Sequence, residues 1–62
     1  MKQEFIKANN RGELVWDQFF ETERGVYELL LKRYENDVYY FKYLNGKLVE
    51  CGNASKMKAV KK

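Results

Sequence analysis

The sequence predicts an all-β fold, a five-stranded antiparallel meander that is curled or barrel-like. The first observation is that short runs of the chain are rich in Val, Leu, Tyr, Phe and Trp, residue types that favour strands. The second is that apolar positions within these runs can be placed on one face of a continuous sheet. The third is that four turn signals separate the runs: Asn9-Asn10-Arg11-Gly12, Thr22-Glu23-Arg24-Gly25, Asn36-Asp37 and Asn45-Gly46.

The turns assign a residue range to each strand. In chain order, the predicted strands cover residues 2–8, 13–21, 26–35, 38–44 and 47–51. Gly12 is expected to supply a positive φ angle in the first turn, and residues 35–37 are expected to form a three-residue loop. The Asn45-Gly46 pair is typical of a two-residue hairpin turn.

These turn lengths fix which residues lie opposite one another. Successive strands then pair Ile6 with Trp16, Trp16 with Leu31, Leu31 with Phe41, and Tyr43 with Leu48. One face collects most of the apolar side chains, and the predicted core centres on Trp16, Leu29, Leu31 and Phe41. Because a one-residue change in any loop would reverse the faces beyond it, this prediction depends on each loop length.

The second face of the predicted sheet is too apolar for a surface that only meets water. It would carry cations beside exposed aromatic rings, a combination suited to binding another molecule. The predicted interaction surface consists of Lys32, Tyr34, Tyr40 and Lys42. The tyrosines would act as anchors and the lysines as steering charges.

A helix over residues 13–24 is the competing interpretation. On a helical wheel, Val15, Trp16, Phe19 and Phe20 share one arc, and Gly25 follows as a normal helix stop. The fold would then be α+β, with this helix packed on a small antiparallel sheet.

Length and charge predict one domain with a distinct end. The 62 residues carry a net charge of +3, and four of the lysines lie in the last seven residues. We therefore expect a single small β domain over residues 1–52 and a basic, flexible C-terminal tail over 53–62. The N-terminus lacks the apolar segment of a signal peptide, and no run has the length of a membrane span, so a cytoplasmic location is expected.

No residue pattern indicates catalysis, a cofactor or a metal. The chain has one cysteine, Cys51, and no histidine, which excludes an internal disulfide and the usual zinc sites and removes the commonest activator of a thiol. Glu13, Asp17 and Glu21 recur at a spacing of four, which is more typical of a solvated face than of acid–base catalysis. The prediction is a protein that is not an enzyme and binds no cofactor.

Three segments support a resemblance to known proteins: residues 12–17, 21–27 and 39–52. They resemble the small uncharacterised proteins carried by phages and prophages of Gram-positive bacteria. The resemblance implies a cytoplasmic accessory protein of an infected or lysogenic bacterial cell, and it transfers no functional residue.

The expected function is that of a non-enzymatic interaction module. A protein partner or a second copy of the chain is the first expectation, since an unpaired strand edge and an apolar face both suit such partners. The alternative is a small single-stranded nucleic-acid-binding protein. Its ten aromatic residues would stack on bases while lysines contact phosphates.

Overall fold

One short helix packs on one face of a four-stranded antiparallel sheet that is not closed into a barrel. A computed structural model describes residues 2–56 of the chain. Its elements are α1 (Gln3–Arg11), β1 (Glu13–Thr22), β2 (Gly25–Tyr34), β3 (Asp37–Leu44), β4 (Lys47–Asn53) and a 3₁₀ turn (Ala54–Lys56). The strands lie in the order β1-β2-β3-β4, so each is joined to its neighbour by a hairpin.

The predicted fold class is therefore wrong, in both of its forms. Residues 2–8 do not form a first strand, because residues 3–11 are helical. The alternative helix over residues 13–24 is also wrong, because that segment is β1. The predicted strands 26–35, 38–44 and 47–51 lie where the structure has β2, β3 and β4. Of the predicted tail, residues 53–62, the last six lie outside the described residues.

The helix forms because its inward positions follow a spacing of three rather than two. Phe5 and Ala8 both pack against the sheet, as residues three apart on a helix can. Glu4 in the first turn and Arg11 in the last turn suit the helix dipole. Gly12 ends the helix with a φ of −70° rather than the expected positive angle. Its lack of a side chain matters because a Cβ there would overlap the Ala8 carbonyl oxygen.

The hairpin between β2 and β3 has a two-residue turn, Glu35-Asn36, so the predicted three-residue loop is wrong. Tyr34 pairs with Asp37, and Glu35 adopts a positive φ of 62°. Leu31 consequently lies opposite Tyr40 rather than Phe41. This single residue of difference places the side chains of β3, and Leu48 on β4, on the faces opposite to those predicted.

The other two hairpins have the predicted registers next to their turns, and a β-bulge shifts the register farther along each of them. Trp16 pairs with Leu31, and Tyr43 pairs with Leu48. In the last turn Asn45 and Gly46 have φ angles of 52° and 85°, which are those of a type I′ turn.

The core lies between α1 and the sheet and is small. Among residues 2–56, the buried apolar side chains are Ala8, Tyr39 and Phe41. Phe5 contacts Tyr39 edge to face, with ring centroids 5.7 Å apart. Of the four residues predicted as the core centre, Phe41 is there. Trp16, Leu29 and Leu31 are not, because they point to the face that the helix leaves uncovered.

Candidate interaction surface

The sheet face opposite α1 is the most distinctive surface of the described chain, and we refer to it as the open face. Because paired residues of neighbouring strands share a face, the observed registers define its members. They are Glu13, Trp16, Gln18 and Phe20 of β1; Tyr27, Leu29, Leu31 and Arg33 of β2; Val38, Tyr40, Lys42 and Leu44 of β3; and Lys47, Glu50 and Gly52 of β4.

The open face is predominantly apolar and accessible. Trp16 and Phe20 on β1 are 43% and 41% exposed, although both are large apolar side chains. Leu29 and Leu31 lie beside them on β2 and are half-buried by their neighbours. A continuous patch of this kind marks an interaction surface more often than a scattered apolar side chain does.

Aromatic rings and a cation hold the β1–β3 part of the open face in order. The rings of Phe20 and Tyr27 stack across the strands with centroids 5.5 Å apart and an interplanar angle of 21°. The Lys42 ammonium lies 5.0 Å from the centroid of the Tyr27 ring, in a cation–π contact. These contacts connect three strands.

Glu50 connects the same network to β4. Its carboxylate accepts a hydrogen bond of 3.1 Å from the Tyr40 hydroxyl and lies 3.8 Å from the Lys42 ammonium. The pKa of Tyr40 is raised from its ordinary value, first by burial, then by the hydrogen bond to Glu50 and by electrostatic interaction with Glu50 and Cys51. Tyr40 therefore stays protonated and can donate to Glu50 well into the alkaline range.

A shallow groove of about 390 Å³ runs across the middle of the open face. Phe20, Leu29, Leu31 and Tyr40 form its apolar wall, while Lys42 and Glu50 form its polar end. The Tyr40 ring lies across Gly52, where a Cβ would come within 2.7 Å of the ring carbon Cε2. The absence of a side chain at Gly52 thus lets the tyrosine lie flat against β4.

The four residues of the predicted interaction surface are divided between the two faces. Tyr40 and Lys42 lie together on the open face, whereas Lys32 and Tyr34 lie on the face that carries α1. The Lys32 ammonium donates to the backbone oxygen of Asn9 at 2.6 Å and to its side-chain oxygen at 3.1 Å. Lys32 therefore binds the C-terminal end of the helix, where a cation is favourable.

The sequence analysis missed the apolar centre of the open face, because it assigned Trp16, Leu29 and Leu31 to the core. The registers around them were right, but the wrong loop at residues 35–37 joined them to Phe41. Reading Glu35-Asn36 as a two-residue turn would have grouped them with Tyr40 and Lys42. The sequence did contain a signal for this two-residue turn, but the signal was weak because glutamate is uncommon at a position of positive φ.

The remaining candidate groups are spread over the molecule. Glu13 lies on the open face and pairs with Arg33 at 3.4 Å, while Asp17 and Glu21 lie on the helix-bearing face. Cys51 is half-buried beside Phe41 on that same face. Within residues 2–56, no group of three or more acidic, cysteine or histidine residues is arranged to hold a metal ion. No helix in this part of the chain is long and apolar enough to cross a membrane.

Comparison of the chain with protein-family models, with curated proteins and with solved structures finds no match.

Proposed function

We propose that the chain is a non-enzymatic interaction module that docks through the open face of its sheet. The observation that supports this proposal is the unequal use of the two faces. The helix-bearing face contains the core, although Leu14 and Phe19 are exposed where it reaches the edge strand β1. On the open face no described element covers the sheet, and Trp16 and Phe20 are presented to solvent. Exposing these rings costs free energy that a docked partner would recover, at about 25 cal/mol per Å² of apolar surface covered.

The charge of the open face favours a protein partner over nucleic acid. Arg33 lies beside Glu13, and Lys42 lies beside Glu50, so two of its cations are balanced by carboxylates. Lys47 adds one further positive charge. A surface that binds a polyanion ordinarily has a clear excess of cations, whereas an apolar patch with a balanced polar rim is typical of protein interfaces.

The resemblance to phage and prophage proteins supports a setting for this function. In that setting the module acts in the cytoplasm of an infected or lysogenic bacterial cell, as an accessory protein that binds another protein or itself.

Single-stranded nucleic acid is the second candidate partner, because four aromatic side chains share the open face. Trp16, Phe20, Tyr27 and Tyr40 are arranged over three strands, and bases can stack on such rings. The lysines near the C-terminus of the sequence would contribute contacts to phosphate.

A pair of matched variants tests the open face directly. Trp16→Lys places a cation on the open face, whereas Phe19→Lys places one on the opposite face of the same strand, where Phe19 is 61% exposed. We expect the immobilised wild type and Phe19→Lys to capture a protein, either a bacterial protein or free copies of the chain itself, and Trp16→Lys to capture neither. Equal capture by both variants would show that the open face is not the docking surface.

Titration with a labelled single-stranded oligonucleotide separates the two partner classes. Nucleic-acid binding would weaken steeply as salt is raised, because phosphate contacts release counterions. We expect no binding even at low salt. Salt-sensitive binding that is lost in Trp16→Lys would instead assign the open face to the second candidate.

A further inference from the structure

We propose that the occupant of the open face is the open face of a second copy of this chain, in a two-fold symmetric dimer. This inference rests on the proposed function and names its partner. The dimer would have four layers, with the two sheets packed against each other and one helix on each outer side.

The first argument is the small size of the core. Among the residues described, Phe41 is the one large side chain with no accessible surface, and it is accompanied by Ala8 and Tyr39. A chain of this length buries a small share of its surface and is marginally stable alone. Packing two open faces together would create a second core from Trp16, Phe20, Leu29 and Leu31 of both copies.

The second argument is the area of the open face. Four strands about 4.8 Å apart are about 19 Å wide, and eight residues at about 3.4 Å each extend about 27 Å. Each copy therefore offers about 500 Å² in projection, and its side-chain relief increases the accessible area. Two such faces reach the total of about 1,000 Å² that a specific protein interface requires.

The third argument is that the relief of the open face is complementary to itself. One row of paired residues crosses the four strands, from Trp16 on β1 through Leu31 and Tyr40 to Gly52 on β4. The face is therefore thick along β1, which carries two large aromatic side chains, and thin at Gly52 on β4. A two-fold axis that lies between the sheets and parallel to the strands sets each thick edge over a thin edge. In this arrangement Trp16 meets the Tyr40 ring that lies flat on Gly52.

The fourth argument is the polar pairing that the same arrangement produces. The next row of paired residues on the open face runs from Gln18 on β1 through Leu29 and Lys42 to Glu50 on β4. Exchange of β1 and β4 across the axis places the Gln18 amide over the second copy's Glu50, so the amide can donate to the carboxylate. A face with nearly balanced charge can meet its own copy in this way without strong repulsion.

The molar mass of the purified full-length chain over a concentration series tests the dimer. Light scattering coupled to size exclusion is expected to show a monomer–dimer equilibrium for the wild type and for Phe19→Lys. Trp16→Lys is expected to raise the dissociation constant about 30-fold, the effect of losing one strongly contributing interface residue. Circular dichroism at low concentration checks that each variant retains its strands.

Two substitutions of one residue test the arrangement of the copies. Gln18→Glu would face the second copy's Glu50 and weaken the dimer, whereas Gln18→Lys would face the same carboxylate favourably and preserve it. Equal weakening by both variants would overturn the arrangement, because Gln18 would then lie over another Gln18. Since Gln18 is exposed on the edge strand β1, both variants are expected to fold.

A wild type that stays monomeric throughout the series would overturn the dimer. The proposed function would still stand if the monomer captured another protein and Trp16→Lys abolished that capture. It would fail together with the dimer if capture were absent or equal in both lysine variants.

Discussion

Two carboxyl groups face each other on the helix-bearing side of the sheet. Asp17 on β1 and Glu28 on β2 lie close enough to share a hydrogen bond. Burial raises the pKa of Glu28 above its ordinary value of 4.5, and the hydrogen bond and negative charge of Asp17 raise it further. The folded state therefore binds more protons at Glu28 than the unfolded state does.

This pair predicts a measurable dependence of stability on pH. Because the pKa of Glu28 is higher in the folded state, the free energy of unfolding falls as the pH rises from 4.5 through the raised pKa. Glu28→Gln is expected to raise the midpoint of thermal unfolding at neutral pH and to flatten the profile across that interval. Scanning calorimetry over a pH series measures both effects.

Glu21→Gln is the matched control, because it removes one carboxylate from the same face on the exposed strand β1. An unchanged pH profile in Glu28→Gln, or the same change in both variants, would contradict the role of the Asp17–Glu28 pair.

At the level of elements, the turn between β2 and β3 decides which side chains face the helix. Glu35 occupies the first central position with a φ of 62°, where a residue with a Cβ is strained. Because Tyr34 pairs with Asp37, the turn contains two residues and no more. A longer loop would release the strain but would exchange the faces of β3.

Relief of this strain is expected to stabilise the protein. Glu35→Gly should raise the free energy of unfolding by about 0.5–1 kcal/mol, because glycine adopts a positive φ without steric cost. Asn36→Gly is the control, since Asn36 does not have a positive φ and glycine there only adds freedom to the unfolded chain. Urea denaturation of both variants should show changes of opposite sign. A loss of stability in Glu35→Gly would contradict the two-residue turn.

The sequence predicted the elements after residue 12 far better than the one before it. The four observed strands coincide closely with four of the predicted ones, because Gly25 and Asn45-Gly46 are strong turn signals. The helix was missed because Ile6 and Ala8 also fit a period of two. Its packing depends on Phe5 and Ala8, whose partners on β3 and β4 are distant in sequence.

Two of the four residues predicted for the interaction surface lie on the open face. Tyr40 and Lys42 reach the open face, whereas Lys32 and Tyr34 pack under the helix. Local patterns established that each strand alternates, but the side on which β3 points depends on a loop of two or three residues. The local signal for the shorter loop was weak, because Glu35 stands at the strained position.

For the whole molecule, stability depends on one layer between helix and sheet. Phe41 has no accessible surface and contacts the residues of α1 and of the strands beside it. Its removal would leave the helix without its main apolar support.

Phe41→Ala is therefore expected to unfold the protein at room temperature. The substitution should cost about 3–5 kcal/mol, which equals the whole stability expected for a chain of this size. Phe19→Ala is the control, because Phe19 is 61% exposed and its loss should change stability by about 0.5 kcal/mol or less. Far-ultraviolet circular dichroism measures whether each of the two variants is folded. A folded Phe41→Ala variant would show that the stability lies elsewhere.

The contact between Tyr40 and Gly52 restricts how the sequence can vary. Any residue larger than glycine at position 52 would collide with the Tyr40 ring in its present position. The ring would then have to turn away from β4. The two positions are thus expected to change together during evolution. An aromatic residue at position 40 together with glycine at position 52 would be a useful criterion for recognising distant homologues.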